Sequence, residues 1–287
     1  MHPVLVPGAH VLRRGSGDFQ VGLGPGAADL GTTRLDLTEL GRCPALVASL
    51  VRAGVATHDD RVLRQVLPGP AEQPWRRHTL AAVARRSGDR LADVVRSREA
   101  HLVDVVAFGH PLSRHLAGDL ADVCDRSGLR LARSPGRRTP PEPPTVRVLV
   151  GVGEPSRDLV DPWLREACPH LLVRLVEGRA VVGPFVVPGR TACLRCIDAY
   201  RREEDPAWPL LVEQYARATR ADRADGIPEP VDATLATVAV GWAVRELSTY
   251  AEGGEPATTS ATLTLAPLLD SLDTRRWPQH PHCGCAW

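Results

Sequence analysis

The chain has 287 residues, 43% of them hydrophobic, with 35 basic residues against 34 acidic ones and a net charge of +1. That apolar content suffices for one large or two modest cores and excludes disorder of the whole chain. The near-neutral charge, with Arg dispersed among Asp and Glu, gives no single-sign face for nucleic acid or a membrane, and no stretch reaches the roughly 18 to 20 apolar residues of a membrane span.

Val11-Leu12-Arg13-Arg14 and Phe19-Gln20-Val21-Gly22-Leu23 flank Gly15-Ser16-Gly17-Asp18, and this turn chemistry between apolar runs predicts a hairpin. After Gly24-Pro25-Gly26 a third strand is expected through Ala28, Leu30 and Thr32. The period then changes: Leu46, Leu50 and Val51, and later Val62, Leu63 and Val66, recur at helical spacings, with Thr57-His58-Asp59-Asp60 as a cap before the last helix. Three strands followed by about three helices describe an α+β, winged-helix-like module over residues 1–70. Such modules commonly read DNA, but the expected helix Asp59 to Leu67 offers only Arg61 and Arg64 as cations, too few for a phosphate-contacting face. Pro68-Gly69-Pro70 and Gln73-Pro74 mark a boundary, and residues 71–100 form a connecting segment, helical around Thr79 to Arg86.

Residues 101–287 read as an α/β domain. His101 to Gly109 is a buried strand and Leu112 to Ser127 the helix after it, stopped at Gly128. The turn Gly109-His110-Pro111-Leu112-Ser113 has one glycine where a dinucleotide or adenylate loop wants two or three. Pro135 to Pro144 reads as a surface loop, and Val146 to Val150 and Leu171 to Val176 as further buried strands. Gly151-Val152-Gly153 invites a phosphate-loop reading, but Glu154 and Pro155 follow, and an acid facing a phosphate argues for an ordinary turn. Beyond the strand Ala180 to Val187, a polar helical segment is expected from Ile197 to about Arg220. Val231, Leu235, Val238 and Trp242 form one apolar helix face running to about Tyr250, and Ala261 to Leu265 is expected as the last strand.

Seven cysteines in a chain with no secretory segment point to a cytoplasmic protein whose thiols are reduced or metal-bound. Cys193-Leu-Arg-Cys196 and Cys283-Gly-Cys285 are two close pairs, which together complete a closed tetrahedral zinc site. The one-residue spacing of the second pair is tighter than usual and leaves open that His280 or His282 replaces one thiol. A redox C-x-x-C would leave the second pair unexplained. Cys43, Cys124 and Cys168 stand singly and are expected as small buried hydrophobes.

The run Gly183-Pro-Phe-Val-Val-Pro-Gly-Arg-Thr-Ala-Cys-Leu-Arg-Cys196, the segment Asp205-Pro-Ala-Trp-Pro209 and the stretch Trp277-Pro-Gln-His-Pro-His-Cys-Gly-Cys285 together resemble the leader-peptide-binding proteins of azole and thiopeptide biosynthesis, the cyclodehydratase-associated Ocin-ThiF-like group. The resemblance covers nearly the whole chain. It implies a ThiF-like, Rossmann-type domain with a structural zinc on Cys193, Cys196, Cys283 and Cys285, preceded by a winged-helix recognition element. In that element a leader peptide would add along Ala28, Leu30, Thr32 and Arg34, facing Arg61, Val62, Arg64 and Val66 of the last helix. The implied partners are the precursor leader and a YcaO cyclodehydratase that consumes ATP to close azoline rings, with a homodimer left open. Catalytic ThiF-type relatives need a glycine-rich phosphate turn, Arg and Lys on the phosphates and an acid for magnesium, whereas this chain has one turn glycine and no lysine, so a non-catalytic recognition subunit is expected. The alternatives are an adenylating or sulfur-transfer enzyme of the ThiF type and a zinc-containing winged-helix DNA regulator.

Overall fold

A computed structural model describes residues 3–15, 17–23, 27–33, 40–57, 74–132 and 143–285. The chain divides into two compact units, Met1–Arg96 and Ser97–Trp287.

In the first unit β2 (Val11–Arg13), β3 (Phe19–Val21) and β4 (Ala28–Gly31) make an antiparallel sheet in the order β2-β3-β4, as the turn chemistry predicts. A second ribbon joins β1 (Val4–Leu5) to β5 (Ala56–Thr57). Between them α1 (Pro44–Arg52) begins on a proline, whose missing N–H has no intrahelical partner to lose. It turns Val47 and Leu50 onto a core completed by Val21, Leu40, Val55 and Ala56. Thr57 is the last residue of β5: the N–H of Val55 bonds to Leu50 and the carbonyl of Val55 takes Val6, which leads the chain from α1 directly into the ribbon. His58, Asp59, Asp60 and the helix expected to Leu67 lie outside the described residues. Cys43, expected inside, is exposed, because it precedes Pro44 at the entrance to α1. Farther on, α2 (Pro74–Ser87) meets α3 (Leu91–Ala100) through a tight turn, and Val83, Ala84, Leu91 and Val94 bury one another.

The second unit is built on a mixed seven-stranded sheet. Its strands are β6 (Leu102–Gly109), β7 (Arg130–Leu131), β8 (Val146–Val152), β9 (His170–Val176), β10 (Arg179–Val186), β11 (Ala261–Leu265) and β12 (Leu272–Arg276). They lie in the order β12-β11-β10-β9-β8-β6-β7, parallel from β7 to β9 and antiparallel from β9 to β12. Central strands of such a sheet are covered on both faces, so both alternating sets must be apolar. Val148, Val150 and Val152 face α4 (Ser113–Arg126) and α8 (Ala233–Ala251), together with Leu171, Val173 and Leu175. Leu149 and Leu172 take the other face with Trp163 of α5 (Asp161–Arg165) and with Leu194 and Ile197 of α6 (Leu194–Glu204).

Two expectations for this unit change. The single helix expected over 197–220 is two, α6 and α7 (Trp208–Ala218), because the residue before a proline is driven out of the helical region: Asp205, before Pro206, is extended at φ −139° and ψ 108°. Ala261 to Leu265 is not the last strand, since β12 follows it as the sheet edge. Leu-Asp-Thr-Arg-Arg lacks apolar alternation because almost all of β12 is exposed.

Gly151 sits in β8 where a Cβ would lie 2.4 Å from the Phe108 carbonyl oxygen and 2.8 Å from the Phe108 ring, whereas Gly118, exposed on α4, has open space around it. Gly151→Ala should cost about 1–3 kcal/mol through overpacking, and Gly118→Ala should be neutral or stabilise by up to about 1 kcal/mol through helix propensity. Urea titration of both variants measures the contrast.

His170 is fully buried on β9, edge-on to Trp163, and its Nδ1–H donates to the Cys168 carbonyl at 3.0 Å. Burial pushes the imidazole down from 6.5 to about 4. A depressed base is protonated in the unfolded chain before the folded one, so stability present above about pH 6.5 is lost as pH falls toward about 4. Across that window His170→Gln should remove up to about one proton from the pH dependence of unfolding, about 1.4 kcal/mol per pH unit. Chemical denaturation at several pH values reads the slope, and an unchanged slope would contradict a neutral buried His170.

Candidate functional site

Strand β10 ends beside a tight turn in which Thr191 Oγ1 accepts the Val187 N–H at 2.8 Å and the N–H groups of Arg190 and Thr191 return to the Val187 carbonyl. The turn sets Cys193 at the extended residue before α6, and Cys196 follows within the helix's first turn. From the other side of the sequence, β12 delivers Trp277. Its N–H bonds to the Ser260 carbonyl at 2.8 Å and its indole N–H to Thr262 Oγ1 at 3.0 Å, so the next residues are fixed over α6. The His280 N–H then donates to Cys196 Sγ at 3.3 Å.

The four sulfur atoms of Cys193, Cys196, Cys283 and Cys285 lie within 4.8 Å of one another, an arrangement that can hold a metal ion. Adjacent pairs are 3.8 Å (Cys193 and Cys196), 3.6 Å (Cys193 and Cys283) and 3.3 Å (Cys196 and Cys285) apart. A zinc–sulfur bond of about 2.3 Å requires tetrahedron edges of roughly 3.8 Å. A soft, all-thiol donor set of this size fits zinc and leaves no open position. Both ring nitrogens of His280 are engaged elsewhere: Nε2 meets Glu203 Oε1 at 2.9 Å, and Nδ1 accepts the His282 N–H at 3.2 Å. The four thiols are thus the convergent set, and His280 instead ties the loop to α6. The Cys196 thiol is drawn down to about 4, first by the hydrogen bond from Cys193, with the His280 N–H adding to it, while burial pushes Cys283 up to about 12. Burial thus opposes ionisation at Cys283, and a coordinated cation would favour the thiolate forms that bind it.

The parallel strands place a second constellation. The chain leaves β6 for β7 on one side and returns to β8 on the other, a topological switch point, outside whose carboxyl ends open α/β sheets take ligands. Gly109 ends β6 and His110 follows it, and Gly153 and Glu154 follow the end of β8 at Val152. Gly151 and Val152 belong to the strand and not to a loop. Glu154 bridges two cations, Arg174 Nη1 at 2.7 Å and Arg157 Nη1 at 3.0 Å, and Arg157 continues to Asp198 at 2.6 Å. Gly153, at φ +90°, has no room for a Cβ, which would meet Thr219 Oγ1 at 2.0 Å. His110 Nε2 lies 2.8 Å from Asp222 Oδ1. The negative charge at this end of the sheet is thus neutralised by arginine, a pairing that spacing along the sequence does not reveal.

In the first unit, Ala28 and Leu30 pack against the core and Thr32 is exposed just beyond β4. Among the described residues β4 pairs only with β3. Arg34, Arg61, Val62, Arg64 and Val66 lie outside the described residues. Cys124 and Cys168 are buried, as expected. No helix among the described residues is long and apolar enough to cross a membrane.

No family model and no curated protein sequence matches the chain. Solved structures do match in fold. The heterocyclase TruD superposes with a TM-score of 0.64 at 16% identity, covering 99% of this chain and 42% of its own. A heterocyclase in complex with substrate and cofactor gives 0.63 at 15% identity, covering 99% of this chain and 39% of its own. The microcin C7 biosynthetic enzyme MccB in complex with N-formylated MccA gives 0.61 at 12% identity, and the match covers 100% of both chains. The chain thus spans about two fifths of the heterocyclases and all of MccB. The expectation of a non-catalytic subunit is corrected here. The structures that share the fold over the whole chain are named as a heterocyclase and a biosynthetic enzyme. The likeness to these structures is one of fold, a mixed seven-stranded sheet with helices on both faces.

Proposed function

We propose that this chain captures the leader of a ribosomally made precursor peptide and serves its core to a YcaO cyclodehydratase for azoline formation, in the cytoplasm. In this reading residues 1–70 are a winged-helix recognition element, 71–100 a connecting segment and 101–287 a ThiF-like domain. The observation that carries it is that β4, in a small sheet, pairs only with β3 among the described residues, within a chain whose whole length shares its fold with MccB solved with MccA. An added strand gains main-chain hydrogen bonds along a sheet edge, while alternate side chains find pockets. Arg34, Arg61 and Arg64 would meet acidic leader residues, and Val62 and Val66 would line the apolar floor. The four thiols hold a structural zinc that fixes the end of the second unit onto α6. A second reading, adenylation of the ThiF type, is favoured by the arginine-lined switch point and is tested by ATP–pyrophosphate exchange with purified protein.

Fluorescence polarisation with a labelled leader tests the capture. Arg61→Glu/Arg64→Glu should weaken binding about tenfold or more, and a change of less than about threefold, roughly 0.7 kcal/mol, removes that helix from the site. Elemental analysis of protein purified without chelator should find one zinc per chain. Cys196→Ser should abolish it and lower the melting temperature by about 10 °C or more, because binding energy at such a site is folding energy. Metal-free parent protein with an unchanged melting temperature would refute the zinc assignment.

A further inference from the structure

Beside the thiol cluster, in the second unit, lies a cleft of about 870 Å³, within the size range of ligand sites. One wall is α7, which presents Pro209, Val212 and Ala216; α6 supplies Asp198, Ala199 and Arg202, and the loop after β8 supplies Pro155, Arg157 and Asp158. The turn carrying His280 and Cys283 closes one side, so the cleft borders the thiol cluster.

Its charges do not balance internally. Asp198 is fully used, accepting two nitrogens of Arg157 at 2.6 and 2.8 Å and the Trp208 indole N–H at 2.9 Å. Glu203 is taken by His280 at 2.9 Å, Glu213 by Arg217 at 2.5 Å, and Arg195 by Asp161 outside the lining at 2.7 Å. That leaves Arg202 and Arg220, both exposed and with no ion pair among the described residues, against Asp158. A guanidinium is a rigid planar fork suited to bidentate carboxylate. Val212 and Ala216 of α7 line the same cleft and offer an aliphatic side chain an apolar contact that a bare phosphate does not need, and Asp158 opposes a dense anion.

We propose that this cleft is a binding site for an acidic peptide segment, with carboxylates on Arg202 and Arg220 and an apolar side chain against Val212 and Ala216. The site is separate from the edge of β4 and does not depend on the leader reading.

The test uses the full chain and a fluorescein-labelled synthetic octapeptide of Glu with one central Leu, followed by polarisation. The peptide should bind, and more weakly as salt rises from about 50 to about 300 mM. Arg202→Glu/Arg220→Glu should weaken binding at least about tenfold. Arg114→Glu, an exposed arginine on α4 away from the cleft lining, should leave it within about twofold. Replacing the Leu by Gly should also weaken it. The proposal is overturned if the parent does not bind, if the double variant changes affinity less than about threefold, or if Arg114→Glu costs as much. It is equally overturned if inorganic pyrophosphate displaces the peptide at lower concentration than unlabelled peptide does, which would make the cleft a small-oxyanion site.

Discussion

The second unit depends on a tie between two stretches remote in sequence. Cys193 and Cys196 are delivered by the end of β10 and the start of α6, and Cys283 and Cys285 by the turn after β12. Around that tie, Trp277 is buried with its indole N–H on Thr262, His280 reaches Glu203, and the Arg275 guanidinium lies 4.0 Å over the Trp277 ring. Each contact is modest by itself; each also requires the terminal turn to sit where the thiols hold it. Without a cation, burial pushes the Cys283 and Cys285 thiols up and so disfavours their ionisation. A coordinated metal reverses that preference, and this is why the donor set points to an ion rather than to a packed core of sulfur.

The same turn borders the cleft lined by α6 and α7, so the four thiols and the cleft share a wall. The helix break at Asp205 contributes as well. Because Pro206 excludes a continuous helix, α7 leaves the line of α6, and Trp208 at its start hydrogen-bonds Asp198 of α6. Asp198 also holds Arg157, and through it Glu154 and Arg174 at the carboxyl end of the sheet. One network of alternating charge thus runs from the switch point to the cleft.

Much of this was legible in the sequence, for reasons that differ by element. Val146 to Val150 and Leu171 to Val176 are continuous apolar runs because both faces of those strands are covered, and Leu235, Val238 and Trp242 repeat at helical spacing because one side of α8 meets the sheet. The cysteine pairs were legible because short-range spacing reflects ligand geometry. What stayed hidden was tertiary. β12 has no apolar pattern, being an exposed edge, and the ribbon of β1 with β5 spans two residues on each side. Counting lysines and turn glycines also said nothing of the arginines at the switch point. The cations there are arginines from the turn after β8 and from the strand β9, which only the fold brings beside Glu154.

The central claim is that a peptide adds along β4. Hydrogen–deuterium exchange of the full chain, with and without its leader, tests it most directly, because strand addition hydrogen-bonds backbone amides that otherwise exchange with solvent. The account predicts slower exchange in Ala28–Gly31 when the leader is bound. Unchanged exchange there at saturating leader, with protection confined to the second unit, would contradict it.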